Sequence, residues 1–288
     1  MTRPSHFLAV ACALVASSAG LQAGSVRLEG KSLAVELDDS FPRVIRYSLK
    51  ADGSSIGGQA EASGSVAVNG KVEPCTVKFT KRTAASADYQ LGFASLGIDV
   101  VLRVSVEVDA VDIRVADVSG RGAAKLMTLG FPGSCLLAVA STEAGAEFGA
   151  VSASGYANSK EILGPLAGLP ADGKDSTGNH VFLSNGKVAA GIATNHLRDV
   201  NRVGWKISAN GADKAATAWM PVWQVRELEN EPLPQPFAKI ILTGDINGDG
   251  SANWQDACLV HRKIMPKPLG AELVKAGVAD QIAMDFAS

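Results

Sequence analysis

Ile98-Asp-Val-Val-Leu-Arg-Val-Ser-Val-Glu-Val108 is the stretch that decides the fold class. Ile98, Val100, Leu102, Val104, Val106 and Val108 alternate with Asp99, Arg103, Ser105 and Glu107. Successive side chains of a strand point to opposite faces, so a period of two predicts a long antiparallel strand with one buried and one wet face. Val111-Asp-Ile-Arg-Val115 repeats the pattern after a tight connection at Asp109-Ala110.

Outward from this pair the pattern stays β. Strands are expected at 32–37, 44–49, 65–68, 75–81, 89–93, 125–129, 136–140, 180–183, 187–194, 205–208 and 217–225. Asn185-Gly186 predicts a hairpin with a type I′ turn, which needs positive φ at both central residues. Residues 158–178 are rich in Gly and Pro and predict a long surface loop. So many turn-separated strands with no amphipathic helix among them predict a large antiparallel β-sandwich over residues 24–226. Residues 227–237 form an acidic, proline-rich linker. Beyond it, residues 238–288 predict a short strand at 238–242, a polar loop, a helix over 254–265 ended by Pro266 and Pro268, and a second helix over 272–286.

The chain has 288 residues, 47% hydrophobic and 19% charged, which excludes a disordered polymer. Its formal charge of −2 excludes electrostatic capture of nucleic acid or an anionic membrane. Residues 1–23 carry Arg3, a short apolar run from Phe7 to Ala16 and small residues up to Ala23. They read as a signal peptide, so the protein is expected to be secreted, periplasmic or at the cell surface. Cys75, Cys135 and Cys258 then remain, as one bridge plus a free thiol or as three buried thiols. None lies in metal-ligand spacing with His180, His196 or His261, and all are read as structural.

One motif carries sharper chemistry. Asp245-Ile-Asn-Gly-Asp-Gly-Ser-Ala-Asn-Trp-Gln-Asp256 has the spacing of a twelve-residue calcium loop. Ca²⁺ is a hard cation that takes six to eight oxygens. Asp245, Asn247 and Asp249 offer side-chain oxygens, Ser251 its carbonyl, Asn253 a direct or water-mediated contact, and Asp256 the carboxylate at position twelve. Gly250 stands at position six, where the backbone turns sharply. The competing reading is a polar turn in which Asn253 caps the following helix. A single copy preceded by a strand is not a paired EF-hand.

The same segment resembles glycoside hydrolase family 101, the endo-α-N-acetylgalactosaminidases. The similarity lies in Gly244 to Ala257, with its Trp-Gln-Asp helix start, in His261-Arg-Lys-Ile-Met-Pro266, and in Val278-Ala-Asp-Gln-Ile-Ala-Met-Asp-Phe-Ala-Ser288. The resemblance implies that the β region is a galactose-mutarotase-like supersandwich. It also implies a retaining enzyme that releases galactosyl-β-1,3-N-acetylgalactosamine from Ser or Thr of mucin-type glycoproteins. Retention needs two carboxylates about 5–5.5 Å apart. In that family both sit on a (β/α)₈ barrel of roughly 250 residues that follows this region, so no catalytic residue is assigned here. The expectation is the non-catalytic sandwich of such an enzyme, truncated or split, with a calcium-stabilised segment leading toward a barrel that this chain lacks. It is expected to be inactive alone and able to dock on a catalytic barrel. The alternatives are a free-standing carbohydrate-binding sandwich and a dockerin-like, calcium-dependent interaction module.

Trp219 and Trp223 share one side of an extended segment and could stack on sugar rings, as could Tyr156 beside the glycine-rich loop. The bland alternative for all three is core packing. Glu36, Asp38 and Asp39 crowd one strand end, but alternation keeps them from being read as a convergent acid pair.

Overall fold

A computed structural model describes residues 24–60, 64–152, 160–194, 203–225 and 237–264. The expected signal peptide, Tyr156, linker residues 227–236, Pro266 and the expected second helix lie outside the described residues. The chain opens with β1 (Ser25–Glu29), β2 (Leu33–Asp38), β3 (Val44–Leu49), β4 (Ser55–Gly57), β5 (Val66–Val68) and β6 (Lys71–Glu73). A meander follows: β7 (Thr76–Thr83), β8 (Ser86–Phe93), β9 (Ile98–Val106) and β10 (Ala110–Ser119). Then come β11 (Thr128–Gly130), β12 (Leu137–Ala140), β13 (Ala146–Ser152), β14 (Lys160–Pro165), β15 (Ser176–Asn185) and β16 (Ala189–Thr194). Finally β17 (Val203–Asn210), β18 (Asp213–Trp219), β19 (Trp223–Gln224) and β20 (Phe237–Thr243) precede the helix α1 (Trp254–Ile264).

These strands make a mainly β, antiparallel architecture, as the alternation predicts. Among the described residues sixteen strands form one sheet, with β1-β2-β3-β4-β12-β18-β17-β15-β16-β20-β10-β9-β8-β7 in order and β13 and β14 branching from β15. A smaller sheet runs β19-β11-β5-β6. The large sheet curls until its two arms face each other. The Tyr89 hydroxyl of β8 donates to the Asp38 carbonyl at the end of β2 (2.6 Å). The Glu29 N–H of β1 donates to the carbonyl of Ala84 (2.7 Å). Between the arms one continuous apolar core includes the fully buried Tyr47, Tyr89, Phe93 and Phe148.

In β9, Ile98, Val100, Leu102, Val104 and Val106 are buried and the intervening residues are half-buried. Val108 departs from the expected buried face. The strand ends at Val106, the chain turns, the Glu107 N–H bonds the Ala110 carbonyl (2.8 Å), and Val108 is 55% exposed. The hairpin at Asn185-Gly186 forms, but not as a type I′ turn, because only Gly186 has positive φ (77°). Asn185 instead accepts the N–H groups of Lys187 and Val188 on its own Oδ1. The expected strand over 217–225 is two strands in two sheets: β18 stops at Trp219, and Pro221, which has no N–H, lies between it and β19. The expected loop over 158–178 contains β14, a 3-10 turn at Leu166–Gly168 and the start of β15.

The placement of β20 corrects the domain reading. It lies between β10 and β16, deep in the large sheet, so the segment after the linker completes the sandwich. The helix α1 then folds back over the outer face of that sheet. Val260 packs on Ala193 and Ile241, and Ala257 packs with Phe182, Ala189 and Ala252.

Asn69 turns the chain between β5 and β6 with φ of 52°. Its Oδ1 accepts the N–H groups of Met127 (2.8 Å) and Thr128 (3.1 Å), and its Nδ2 donates to the Lys125 carbonyl (2.9 Å). Asn69→Ala removes these bonds and leaves a left-handed residue with no polar compensation. A loss of about 1–3 kcal/mol is expected in urea unfolding, with partial recovery in Asn69→Asp, which keeps the acceptor.

Candidate functional site

The polar loop joins β20 to α1, and its local chemistry explains its shape. Asp245 accepts the N–H of Gly248 on Oδ1 (2.7 Å) and that of Gly250 on Oδ2 (2.8 Å). Both glycines hold positive φ, at 78° and 97°, which a side chain would disfavour. Asp249 collects the Asn247 amide (3.0 Å), the Asn253 amide (3.0 Å) and the Ser251 N–H (3.0 Å). These bonds hold the Asp249 carboxyl below its usual range, the Asn247 amide contributing most. The Ser251 carbonyl accepts from Asn253 Nδ2 (3.3 Å).

The last two positions act at the helix start. Asn253 Oδ1 accepts the Gln255 N–H (2.8 Å), the bond of an N-cap. Asp256 reaches back to the Asn253 N–H (3.0 Å), completing a reciprocal cap. Its other oxygen accepts the N–H groups of Ile246 (2.9 Å) and Asn247 (3.1 Å), and the residue is fully buried. The turn-and-cap arrangement weighed against calcium is therefore present. Among the described residues, no three His, Cys, Asp or Glu side chains gather closely enough to hold a metal ion. Five of the six sequence-selected residues lie in the loop and Asp256 in the first turn of α1, where it faces backbone donors.

The loop is fastened to the sheet through the 185–188 turn. The Ser184 hydroxyl donates to the Ala252 carbonyl, and the Ala252 N–H donates to the Gly186 carbonyl (3.0 Å). Glu147 on β13 is a neighbour that the sequence does not reveal. Its Oε2 is buried without a hydrogen-bond partner. Burial raises its carboxyl above the usual range; the Trp254 N–H lowers it and the charge of Asp249 raises it further. Only strand pairing far from the loop brings Glu147 there.

The two tryptophans meet by a different route from the one expected. Trp219 lies across Gly204 on the adjacent strand, where a Cβ would come within 2.6 Å of the indole. Trp223 is 3% exposed and meets Phe131 edge-on at 6.4 Å, as Phe131 meets Phe41 at 6.3 Å. Both line a cleft of about 40 Å³ with Arg43, Gln59, Ser134 and Cys135. That volume takes a few waters, not a sugar ring. Trp223 is thus a core residue, while Trp219 stays partly exposed. Cys75, Cys135 and Cys258 are unbridged, and burial pushes the Cys135 thiol up to about 11.

Of the acids crowded near β2, Asp38 is structural, as is Asp88 on β8. Asp38 is fully buried and salt-bridged to Arg43 at 2.7 Å. Asp88 is held by Arg82 (2.7 Å) and Arg103 (2.8 Å).

Several known proteins are similar to this chain. A Renibacterium salmoninarum protein named for endo-alpha-N-acetylgalactosaminidase activity is 27% identical over 289 aligned positions, which take in 92% of this chain. The chain spans 19% of that relative's length. Among solved structures, a GH36 alpha-galactosidase from Geobacillus stearothermophilus has a TM-score of 0.44 at 9% identity, covering 77% of this chain and 41% of its own. A galactose mutarotase-like protein from Lactobacillus casei has a TM-score of 0.41 at 10% identity, covering 76% of this chain and all of its own. The profile of the galactose mutarotase-like fold domain matches residues 28–254, from β1 to the first residue of α1, and the chain belongs to that family.

Proposed function

We propose that this chain is the non-catalytic sandwich of a secreted, endo-α-N-acetylgalactosaminidase-like glycoside hydrolase acting on mucin-type O-glycans. The observation that carries the reading is the alignment of nearly the whole chain with one part of a much longer relative named for that activity. Three buried carboxylates support it too: Asp38, Asp88 and Asp256 are committed to arginines or backbone N–H groups. Chemistry then belongs to a barrel encoded with, or beside, this domain. The test is release of disaccharide from nitrophenyl-linked galactosyl-β-1,3-N-acetylgalactosamine. The purified chain is expected to release none, and turnover would overturn the proposal.

Calcium belongs to the same proposal, as the ion that braces the β20–α1 loop. Asp245, Asn247, Asp249, Asn253 and the Ser251 carbonyl supply oxygens, with Asp256 shaping the loop from behind. Turning the Asn247 and Asn253 amides would exchange N–H groups for carbonyl oxygens beside Asp249. The unpartnered Glu147 oxygen adds negative charge near the loop. Calcium at 100 times its Kd would stabilise the fold by about 2.7 kcal/mol, or roughly 5–10 °C in Tm for a domain of this size. That rise over the chelator-treated protein is the expected result in a thermal melt, and Asp249→Ala should abolish it. Equal responses in wild type and variant would remove the ion from the proposal.

A further inference from the structure

The outer face of β1–β4 carries a second candidate surface, independent of the loop. Strand register sets Arg27 opposite Glu36 and Glu36 opposite Arg46, so three strands present a plus-minus-plus row. One step along, Ser48 stands opposite Ser55. A groove of about 340 Å³ opens over these residues, with Lys50 at its rim. That is the scale of a small-ligand site.

The charges in the groove are not evenly used. Arg27 bonds Glu29 (2.8 Å) and lies 4.0 Å from Glu36. Lys50 is taken by Glu29 (3.4 Å) and the Gly30 carbonyl (3.2 Å). Arg46, directly across from Glu36, makes no ion pair or hydrogen bond among the described residues, although opposite charges in register ordinarily meet. Its guanidinium is a planar fork suited to two oxygens of one anionic group. The flanking groups have different uses. Ser48, Ser55 and the Glu36 carboxylate can exchange hydrogen bonds with neutral hydroxyls, and Glu36 would repel a densely charged anion.

We propose that this groove binds an acidic saccharide, with Arg46 clamping its carboxylate or sulfate and Glu36, Ser48 and Ser55 holding ring hydroxyls. The saccharide nature of the ligand rests on the glycoside hydrolase reading; the anion clamp does not. The experiment titrates the full chain with N-acetylneuraminic acid in one arm and galactose 6-sulfate in the other, followed by amide NMR and calorimetry. Galactose and N-acetylgalactosamine are the neutral controls, and inorganic sulfate is the anion without a sugar.

Saturable binding in at least one acidic arm is expected, weakening with salt, and whichever arm binds identifies the anion. Arg46→Ala should weaken it by about 10- to 100-fold, the range for losing a charged hydrogen-bonding partner. Arg46→Lys should fall between, keeping charge but not the fork. Arg46 is exposed, so an unchanged melting temperature is expected to verify that these variants fold. Absence of binding in both arms, equal binding of the neutral sugars, or indifference to Arg46→Ala would each overturn the proposal. Binding of inorganic sulfate alone would overturn the saccharide and leave the clamp. The disaccharide-release assay is independent of all these outcomes, so failure here and failure of the accessory-domain reading are separable.

Discussion

Arg43→Ala is expected to destabilise the sandwich by about 3–5 kcal/mol, the cost of leaving a buried charge without its partner. Asp38 is fully buried, and the Arg43 side chain is only 10% exposed. Arg43 gives Nε (3.0 Å) and Nη2 (2.7 Å) to the Asp38 carboxylate, and Nη1 to the Ala60 carbonyl (2.8 Å). Asp38 also accepts the Ser40 N–H (2.8 Å) and hydroxyl (2.6 Å), while its carbonyl receives Tyr89 from the facing arm. One knot therefore fixes the β2–β3 turn and joins the two arms. For a domain of this size the loss corresponds to roughly 6–20 °C in Tm.

The pH dependence identifies the cause. Burial alone raises the Asp38 carboxyl, but Ser40 and Arg43 together outweigh it, so its folded pKa lies below the ordinary value. A depressed acid contributes stability above the unfolded pKa, near 3.9 as a rough reference, and that contribution is lost as pH falls through the folded value. Wild type should thus weaken in strong acid. In Arg43→Ala the two Ser40 bonds, the larger opponents of burial, remain, but the loss of Arg43 raises the carboxyl relative to wild type, and protonating Asp38 relieves the variant. The stability gap between the two should narrow as pH falls through the titration of the variant's Asp38 carboxyl. A gap independent of pH would assign the loss to packing. Replacing both partners with apolar residues of similar shape should cost less than Arg43→Ala alone.

Legibility in the sequence followed the range of the interactions involved. β9 is readable because its alternation is local and each buried valine declares the pleat. Val108 misleads because periodicity has no marker for where hydrogen bonding stops. A strand such as β4, of three residues, has too few to show a period. The position of β20 was hidden for another reason: its partners β10 and β16 lie well upstream and leave no trace in the local pattern. The sites divide the same way. The 245–256 loop is contiguous and its residues stand out, yet a cation loop and a capped turn ask for nearly the same Asp and Asn spacing. Glu147, the Asp38–Arg43 knot and the Arg46 groove depend on which strands meet, so residue spacing alone does not show them.

Asp256→Ala should have the other large effect, because three backbone donors converge on one buried carboxylate. Unpaired donors cost about 1–3 kcal/mol each when water cannot replace the acceptor. Partial access for these should leave a total of roughly 3–5 kcal/mol. The loss is expected first in the loop and α1, which rest on β15, β16 and β20 through Ala257, Val260 and Ala252. Faster amide exchange across α1 and a red shift of Trp254 fluorescence would report it, ahead of any change in β9. Asp256→Asn should rescue only in part, since its Oδ1 still accepts but its Nδ2 would set N–H against N–H on the other side. Asp256→Glu should recover the Asn253 cap in part, because Glu serves that position in other helices. The comparison with chelator separates the two roles of this residue. Its hydrogen bonds exist without an ion, so the variant should lose α1 protection in chelator as well as in calcium. A defect seen only with calcium would make Asp256 a metal ligand first and a helix cap second.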